Sequence, residues 1–146
     1  MYQSRIVNAG IHVEERKSAA QPVRCFEGEI RQVLSNLVSN AIDAMQSSAG
    51  GRLLLRTRVG TDWTTGRQGL VITIADTGSG MPAAVLNRIF EPFYTTKGIS
   101  GTGLGLWVSS EIIHRHHGTL RFRSTQNKGH SGTVFSMFLP FDAVSR

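Results

Sequence analysis

Two glycine-rich clusters stand out in this sequence because their residue types suit the binding of a ligand. The first runs from Asp76 to Gly80 and follows an apolar run at residues 70–74. Such a run predicts a buried strand that ends at the carboxylate of Asp76. Behind it, Gly78 and Gly80 can adopt a positive φ and let a ligand approach the backbone closely.

The second cluster, residues 101–106, lies directly before an apolar run at residues 106–113 that is long enough for a helix. Glycine backbone at a helix start offers free N–H groups and the positive end of the helix dipole, which suit a phosphate. A hydrogen-bond acceptor in one cluster and a phosphate-binding backbone in the other together indicate a nucleotide site.

The clearest helix is predicted at about residues 29–45, where apolar residues recur at the i, i+3, i+4 spacing of a buried face. The opposite face carries a polar stripe that includes Asn36 and Asn40, which lie one turn apart. Because asparagine is a mediocre helix former, two of them in mid-helix indicate a function.

The other periodicities predict an α/β fold: a two-layer sandwich with a mixed, mostly antiparallel sheet and about three helices on one face. Pro82 begins a helix that continues to about Ile89, and a third helix covers about residues 104–117, with Gly118 as its cap. Residues 91–101 lack periodicity and are predicted to form a mobile loop. Strands are predicted at residues 5–13, 52–59, 70–75, 119–124 and 133–139.

Length and composition predict one domain over residues 1–146, with a core at about residues 5–140. Cys25 is the only cysteine, which excludes an internal disulfide and fits a reducing compartment. A cytoplasmic location without membrane contact by the domain itself is expected, since there is neither a bilayer-spanning apolar run nor the apolar core of a signal peptide; a membrane tether through a longer parent protein stays open. The net charge is +6, but the arginines are dispersed over predicted strands, which argues against nucleic-acid binding.

Five short motifs occur in order along the chain: Asn36-Leu37-Val38-Ser39-Asn40-Ala41, Asp76-Thr77-Gly78-Ser79-Gly80, Phe90-Glu91-Pro92-Phe93, Gly101-Thr102-Gly103-Leu104-Gly105-Leu106 and Gly132-Thr133-Val134-Phe135. Together they resemble the ATP-binding catalytic domain of two-component sensor histidine kinases. That domain has the Bergerat nucleotide-binding fold, which gyrase and mismatch-repair ATPases share. A lone Asp-x-Gly-x-Gly motif is weak, but five motifs in order and spacing are specific, and the resemblance extends over about residues 5–140.

The resemblance implies ATP and Mg²⁺ as cofactors and gives roles to individual residues. Asp76 would accept a hydrogen bond from the exocyclic amine of adenine, and Thr133 would bind near it. Asn40 would ligate Mg²⁺ through its amide oxygen, and Asn36 would hold a metal-bound water or orient Asn40, so that both take part in catalysis. Further nucleotide contacts are implied for Gly78, Gly80, Met81, Thr96, Lys97, Gly101, Thr102, Gly103, Leu104, Gly105 and Leu106.

Between the two clusters, Phe90 and Phe93 are expected to anchor the loop by packing on the core. Lys97 is placed to reach a phosphate from this loop, although a solvent-exposed loop lysine without a ligand contact is nearly as well supported.

The implied reaction is transfer of the ATP γ-phosphate to a histidine on a dimerisation domain, with a response regulator acting downstream. Residue 36 is asparagine, whereas the ATP-hydrolysing relatives carry a glutamate there as general base, so transfer is favoured over hydrolysis. Three alternatives stay open: a regulatory module that binds nucleotide without transfer, a serine kinase of the anti-sigma-factor type and, as a distant third, a nucleic-acid module, because of the basic charge. The isolated domain is expected to be a monomer.

Two departures from the family pattern qualify this interpretation. None of the five histidines is followed by an acidic residue, so the phosphoacceptor motif is expected on a partner or on another part of a longer protein. Asp43-Ala44-Met45 stands where many members carry a basic and aromatic pair, which removes one possible phosphate contact. The histidines at residues 114, 116 and 117 do not share one helix face well and indicate a polar helix end, not a metal site.

Overall fold

The computed structural model describes residue 6 and residues 10–18, 21–46, 50–94 and 104–144. Eight elements follow one another in these ranges: β1 (Ile11–Lys17), α1 (Glu27–Gln46), β2 (Gly51–Thr61), β3 (Gln68–Asp76), α2 (Ala83–Leu86), α3 (Gly105–Arg115), β4 (Thr119–Thr125) and β5 (Gly132–Pro140). None of the described helices combines the length and apolar character needed to cross a bilayer.

The five described strands form one mixed sheet in the order β1-β2-β3-β5-β4. β1 pairs with β2 in parallel, and the other three pairs are antiparallel. The parallel pair requires a crossover, which α1 supplies. The predicted two-layer α/β sandwich with a mostly antiparallel sheet is therefore confirmed.

The core lies between the sheet and the helices because each element buries one face. α1 buries one apolar stripe, which runs from Ile30 to Met45. Alternate residues of the central strands point into the same layer, among them Leu53, Ile74 and Phe135. From α3, Ile112 and Ile113 complete the cluster. This arrangement holds the polar stripe of α1 away from the core and beside the loops that follow β3.

The first strand differs from its predicted range. It begins at Ile11 and continues to Lys17 through four charged residues, whereas Ile6 is helical and residues 7–9 lie outside the described ranges. β1 pairs only with β2 among the described strands. Charged side chains are common on such edge strands because they can point to solvent.

The helix predicted from Pro82 to Ile89 is also wrong in length, since α2 ends at Leu86. Beyond it the N–H of Arg88 bonds the carbonyl of Val85 at 2.9 Å, so the chain tightens into i to i+3 turns. Ile89 is still buried in the core, which explains its apolar character without a longer helix.

Gly118 does not cap α3 in the predicted manner. His117, with φ of 60°, takes the left-handed position, and the N–H of Gly118 bonds the carbonyl of Ile113 at 3.0 Å. A Cβ at Gly118 would clash with the carbonyl oxygen of Phe138. The glycine is thus required by close packing between the helix end and β5.

Candidate functional site

Asp76 is the last residue of β3 and lies opposite Leu53 on one side and Thr133 on the other. Its Oδ1 accepts a hydrogen bond from the N–H of Gly78 at 2.8 Å. Burial raises the pKa of the Asp76 carboxyl, and hydrogen bonds from the backbone N–H groups of Gly78 and Thr133 oppose that rise. The end of β3 therefore presents a half-buried carboxylate, whose ionised form is stabilised by two backbone N–H donors.

The hydroxyl groups of Ser124 and Thr133, which lie within hydrogen-bond distance of each other, hold the loop that follows Asp76. The Oγ of Ser124 accepts the N–H of Met81 at 2.8 Å and lies 2.8 Å from the Oγ1 of Thr133. Ser124 and Thr133 face each other across β4 and β5. The sequence analysis named Met81 and Thr133 as site residues but missed Ser124, which connects them. The signal that could have revealed Ser124 is its position opposite Thr133 in the last hairpin.

The two glycines behind Asp76 are needed for different reasons. Gly80 has φ of 74°, and a Cβ there would clash with the carbonyl oxygen of Thr125. Gly78 is not among the residues with positive φ; a Cβ on it would lie 2.6 Å from the carbonyl oxygen of Ala44. The expectation of positive φ thus applies to Gly80, while Gly78 lets the loop pack directly on α1.

Asn36 joins α1 to the first turn of α3. Its Nδ2 donates to the carbonyl of Gly105 at 3.2 Å and to the Oγ of Ser109 at 3.2 Å. Ser109 is completely buried and was missed by the sequence analysis, since nothing in its local sequence separates it from Ser110. The two hydrogen bonds of Asn36 therefore position the second glycine cluster against α1.

Asn40 lies on the same α1 stripe, four residues after Asn36 and four before Ala44. At Ala44 the stripe meets the first cluster, because the N–H of Ser79 bonds the Ala44 carbonyl at 3.3 Å. At about 1.5 Å per residue, the stripe from Asn36 to Ala44 is roughly 12 Å long. Asn40 is half-buried and lies midway between the two clusters.

α3 begins within the second glycine cluster, at Gly105, and its N-cap residue Leu104 makes no side-chain cap. Gly105 and Leu106 form its first turn, where backbone N–H groups have no partner inside the helix. Such a turn fits a phosphate. The other expected contacts of this region, Thr96, Lys97, Gly101, Thr102 and Gly103, lie outside the described residues.

Of the two expected loop anchors, only Phe90 packs on the core. Its ring lies edge-on to that of Phe122, with centroids 5.5 Å apart, and Phe122 in turn lies 5.8 Å from Phe135. Phe93 is 74% exposed and has φ of 69°, so its assignment as a core anchor is wrong. Between these two residues the polypeptide therefore moves from the edge of the core to solvent.

Of the three histidines at the end of α3, His114 and His117 are exposed as a polar helix end predicts, but for His116 that prediction is wrong, because it packs against the start of α1. His116 is completely buried; its Nε2 accepts the N–H of Phe26 at 3.1 Å, and its Nδ1 lies 2.7 Å from the carbonyl of Ile112. Both ring nitrogens are thereby occupied. Among the described residues, no group of three His, Cys, Asp or Glu could hold a metal ion.

Residues 26–143 match the family model described as histidine kinase-, DNA gyrase B- and HSP90-like ATPase. The chain belongs to this ATPase family. Its match extends from the residue before α1 to the end of β5 and beyond, and so includes both asparagines, Asp76 and the whole sheet apart from β1.

Relatives and solved structures of the ATPase family agree with this assignment. Sporulation kinase E of Bacillus subtilis is 38% identical over 119 residues, which are 82% of this chain but 15% of that kinase. The nucleotide-free catalytic domain of histidine kinase ThkA has a TM-score of 0.75 and 28% identity, covering 95% of this chain and 86% of that one. Full-length ShkA in complex with AMPPNP has a TM-score of 0.73 and 27% identity, covering 95% of this chain and 28% of ShkA.

Proposed function

We propose that this chain is the catalytic domain of a sensor histidine kinase, which binds Mg-ATP and transfers the γ-phosphate to a histidine outside these residues. The observation that carries the proposal is the α1 stripe. Asn36 contacts the start of α3 and Ala44 contacts the loop after Asp76, with Asn40 between them. A nucleotide laid along this stripe would have its base at one end and its phosphates at the other.

The base is proposed to bind at Asp76. A carboxylate accepts a hydrogen bond from the amine of adenine, whereas guanine offers a carbonyl oxygen at that position, so Asp76 selects ATP over GTP. Burial raises the pKa of Asp76, and the backbone donors of Gly78 and Thr133 oppose this rise and support the ionised acceptor. The Ser124 hydroxyl would support this site by holding the backbone of Met81, and Thr133 in turn contacts Ser124.

The phosphates are proposed to bind at the first turn of α3. The absence of a side-chain N-cap there leaves the N–H groups of Gly105 and Leu106 for phosphate oxygens, and the helix dipole favours their charge. The amide oxygen of Asn40 suits Mg²⁺, a hard ion that prefers oxygen ligands and retains several waters. The ion would neutralise phosphate charge during transfer. Lys97 and the neighbouring loop residues would complete the phosphate contacts.

Transfer is preferred to hydrolysis because Asn36 offers no base for an attacking water. Its amide nitrogen is already committed to Gly105 and Ser109, which makes it a positioning residue for the helix that receives the phosphates. What the domain supplies is position and charge neutralisation. A neutral imidazole, common at neutral pH given an unperturbed pKa of about 6.5, would supply the nucleophile.

The partners follow from this reaction. The nucleophile would lie on a dimeric helical domain, and a response regulator would receive the phosphate afterwards. The chain spans 15% of the length of sporulation kinase E, so these partners belong to the larger assembly in which the domain would act. A cytoplasmic site of action is proposed because ATP and response regulators are found there.

The experiment mixes this chain with the helical phosphoacceptor domain of its own kinase and ATP labelled at the γ-phosphate. Label should appear in the partner as an acid-labile, alkali-stable phosphohistidine. Asn40→Ala should abolish it, whereas Asn127→Ala in the exposed β4–β5 turn should not. An acid-stable product would identify a serine kinase instead. ATP binding without any transfer would leave a nucleotide-sensing module.

A further inference from the structure

The sheet face that points away from the helices carries a frame of arginines. Strand residues alternate between the two faces, and the neighbours of the core residues Leu53, Ile74 and Phe135 point outward. We call this outward side the open face. Its arginines are Arg16 on β1, three on β2 and two on β4, namely Arg52, Arg56, Arg58, Arg121 and Arg123.

The register aligns these arginines across the sheet. Arg16 lies opposite Arg56, Arg56 opposite Thr73, Thr73 opposite Ser136, and Ser136 opposite Arg121. One straight row therefore crosses all five strands and carries a guanidinium on both sides of the centre. The arginines are dispersed along the sequence, as expected, but their spacing by two residues collects them on one surface.

Little acidic charge offsets this frame. Glu14 is the only acid at a described strand position of the open face, and it pairs with Arg16 at 3.0 Å and with Arg52 at 3.3 Å. The four other arginines are exposed and form no ion pair with a described residue. Six arginines and one glutamate give this face a charge of +5, which is most of the net +6 of the whole chain.

Between the arginines lies a strip of small and apolar side chains on β3 and β5. Val71 and Phe138 lie opposite each other in one row, and Ala75 and Val134 in another. Val71 and Phe138 are each 8% exposed, so the accessible apolar part of this strip is formed by the half-buried Ala75 and Val134, with the small polar pair Thr73 and Ser136 between the two rows. This uncharged floor with cationic sides suits a partner that is apolar along its centre and acidic along its flanks.

We propose that the open face docks an acidic amphipathic helix of a partner protein. β2 and β4 are three strand spacings apart, about 14 Å, and a helix with its side chains is about 10–12 Å across. A helix lying along β3 and β5 thus fits between Arg56 and Arg58 on one side and Arg121 and Arg123 on the other. Carboxylates on both flanks would form charge-assisted hydrogen bonds with these guanidinium groups, which favour such pairs.

A protein helix matches this surface better than the other polyanions. Phosphate backbones present no apolar stripe for the strip on β3 and β5, and the ring of Phe138 is too buried to stack on a base. An anionic bilayer would meet the arginine ends and leave the uncharged floor without a contact. Only an amphipathic helix satisfies the floor and both sides together.

The test uses the full chain and a fluorescent model peptide of about 18 residues, roughly 27 Å as a helix, with leucines on one face and glutamates on both flanks. Anisotropy at about 0.15 M salt should report binding. The double variant Arg56→Glu/Arg121→Glu should weaken it by about tenfold or more. Arg31→Glu changes the charge by the same amount per site on an exposed position of α1, and should have little effect.

Several outcomes would overturn the proposal. If Arg31→Glu lost as much peptide affinity as the double variant, net charge alone would explain the binding. The same would follow if a peptide of the same composition with scattered leucines bound equally well. Tighter binding of a DNA duplex or of phosphatidylglycerol vesicles, lost in the double variant, would assign the face to that ligand. Circular dichroism and Mg-ATP titration monitor folding; should the double Glu variant unfold, Arg56→Gln/Arg121→Gln provides the same test without charge reversal.

Discussion

The side-chain amide of Asn36 lies 3.2 Å from the Oγ of Ser109, and this contact connects two helices that carry different parts of the nucleotide site. Ser109 is completely buried, so water would not readily replace Asn36 as its hydrogen-bond partner. The same amide also bonds the carbonyl of Gly105. The position of α3 relative to Asn40 thus depends on a hydrogen bond that no single motif contains.

Ser109→Ala should weaken both stability and ATP binding. Loss of one buried hydrogen bond lowers the free energy of unfolding by about 0.5–1.5 kcal/mol. The side-chain amide of Asn36 would then keep only its hydrogen bond to the carbonyl of Gly105. Ser110→Ala, one residue away and less buried, is the matched control. Thermal unfolding and calorimetric titration with Mg-ATP measure the two effects. Unchanged nucleotide affinity in Ser109→Ala would mean that this contact only supports the fold.

Asp76→Asn should lower ATP affinity by about 10- to 100-fold, since it replaces an ionised acceptor in a hydrogen bond of about 1.5–3 kcal/mol. The fold should remain intact because the amide oxygen can still accept the N–H of Gly78. Asp142→Asn is the control, as that carboxylate is exposed and pairs with Arg67. An unaltered binding isotherm for Asp76→Asn would relocate the adenine site.

The pH dependence of the same residue provides a separate test. Burial raises the pKa of Asp76 above its ordinary value of about 3.8, so folding favours the protonated form more than the unfolded chain does. ATP affinity should fall as the pH drops through that raised pKa, because the acid is a poorer acceptor. In Asp76→Asn, which has no carboxyl to titrate at this position, the ATP affinity should not show this pH-dependent fall. Binding measured from neutral pH downward, in wild type and variant, makes the comparison.

Stability should respond in the opposite direction. A raised folded pKa means that the protonated carboxyl favours folding; this contribution is complete below about 3.8 and is lost as the pH rises through the folded pKa. At neutral pH, Asp76→Asn without nucleotide should therefore be more stable than wild type, and the difference should shrink in acid. Urea unfolding at several pH values measures it. A variant that is less stable at neutral pH would show that the backbone hydrogen bonds outweigh burial.

The sequence predicted those parts of the site that depend on local pattern. The strand that ends at Asp76, the helix with Asn36 and Asn40, and the order of elements follow from periodicity and turn residues. Ser109 and Ser124 could not be found in this way, since each acquires its partner through helix packing or strand register. The open face escaped for the same reason, because its arginines lie on three strands that come together only in the sheet.

Loop geometry was predicted only partly. Glycine at residue 80 signals left-handed backbone, and Gly80 adopts it, but Gly78 is required by its contact with Ala44, a residue on another element. Likewise, Phe93 looks like a core residue from its type, yet its left-handed backbone turns it to solvent. Apolar type alone does not decide burial in a turn where the chain moves away from the core.

Gly80→Ala should destabilise the protein more than Gly66→Ala, although both glycines have φ of 74°. At Gly66 nothing lies within 4 Å of an added Cβ, whereas at Gly80 the Cβ would clash with the backbone of Thr125. Gly66→Ala should therefore cost only the left-handed backbone penalty, about 1–2 kcal/mol. Gly80→Ala adds overpacking, worth about 1–3 kcal/mol more.

The two variants also separate the site from the fold. Gly80 lies between Asp76 and Met81, so displacing it from Thr125 should pull the Met81 N–H from Ser124 and weaken ATP binding as well. Gly66 lies in the turn between β2 and β3 and should leave binding unchanged. Urea unfolding and Mg-ATP titration on both variants measure the pair of effects. Equal losses of stability would mean that β4 shifts to accommodate the new methyl group. The close approach of Gly80 to Thr125 would then not be what holds the loop that follows Asp76.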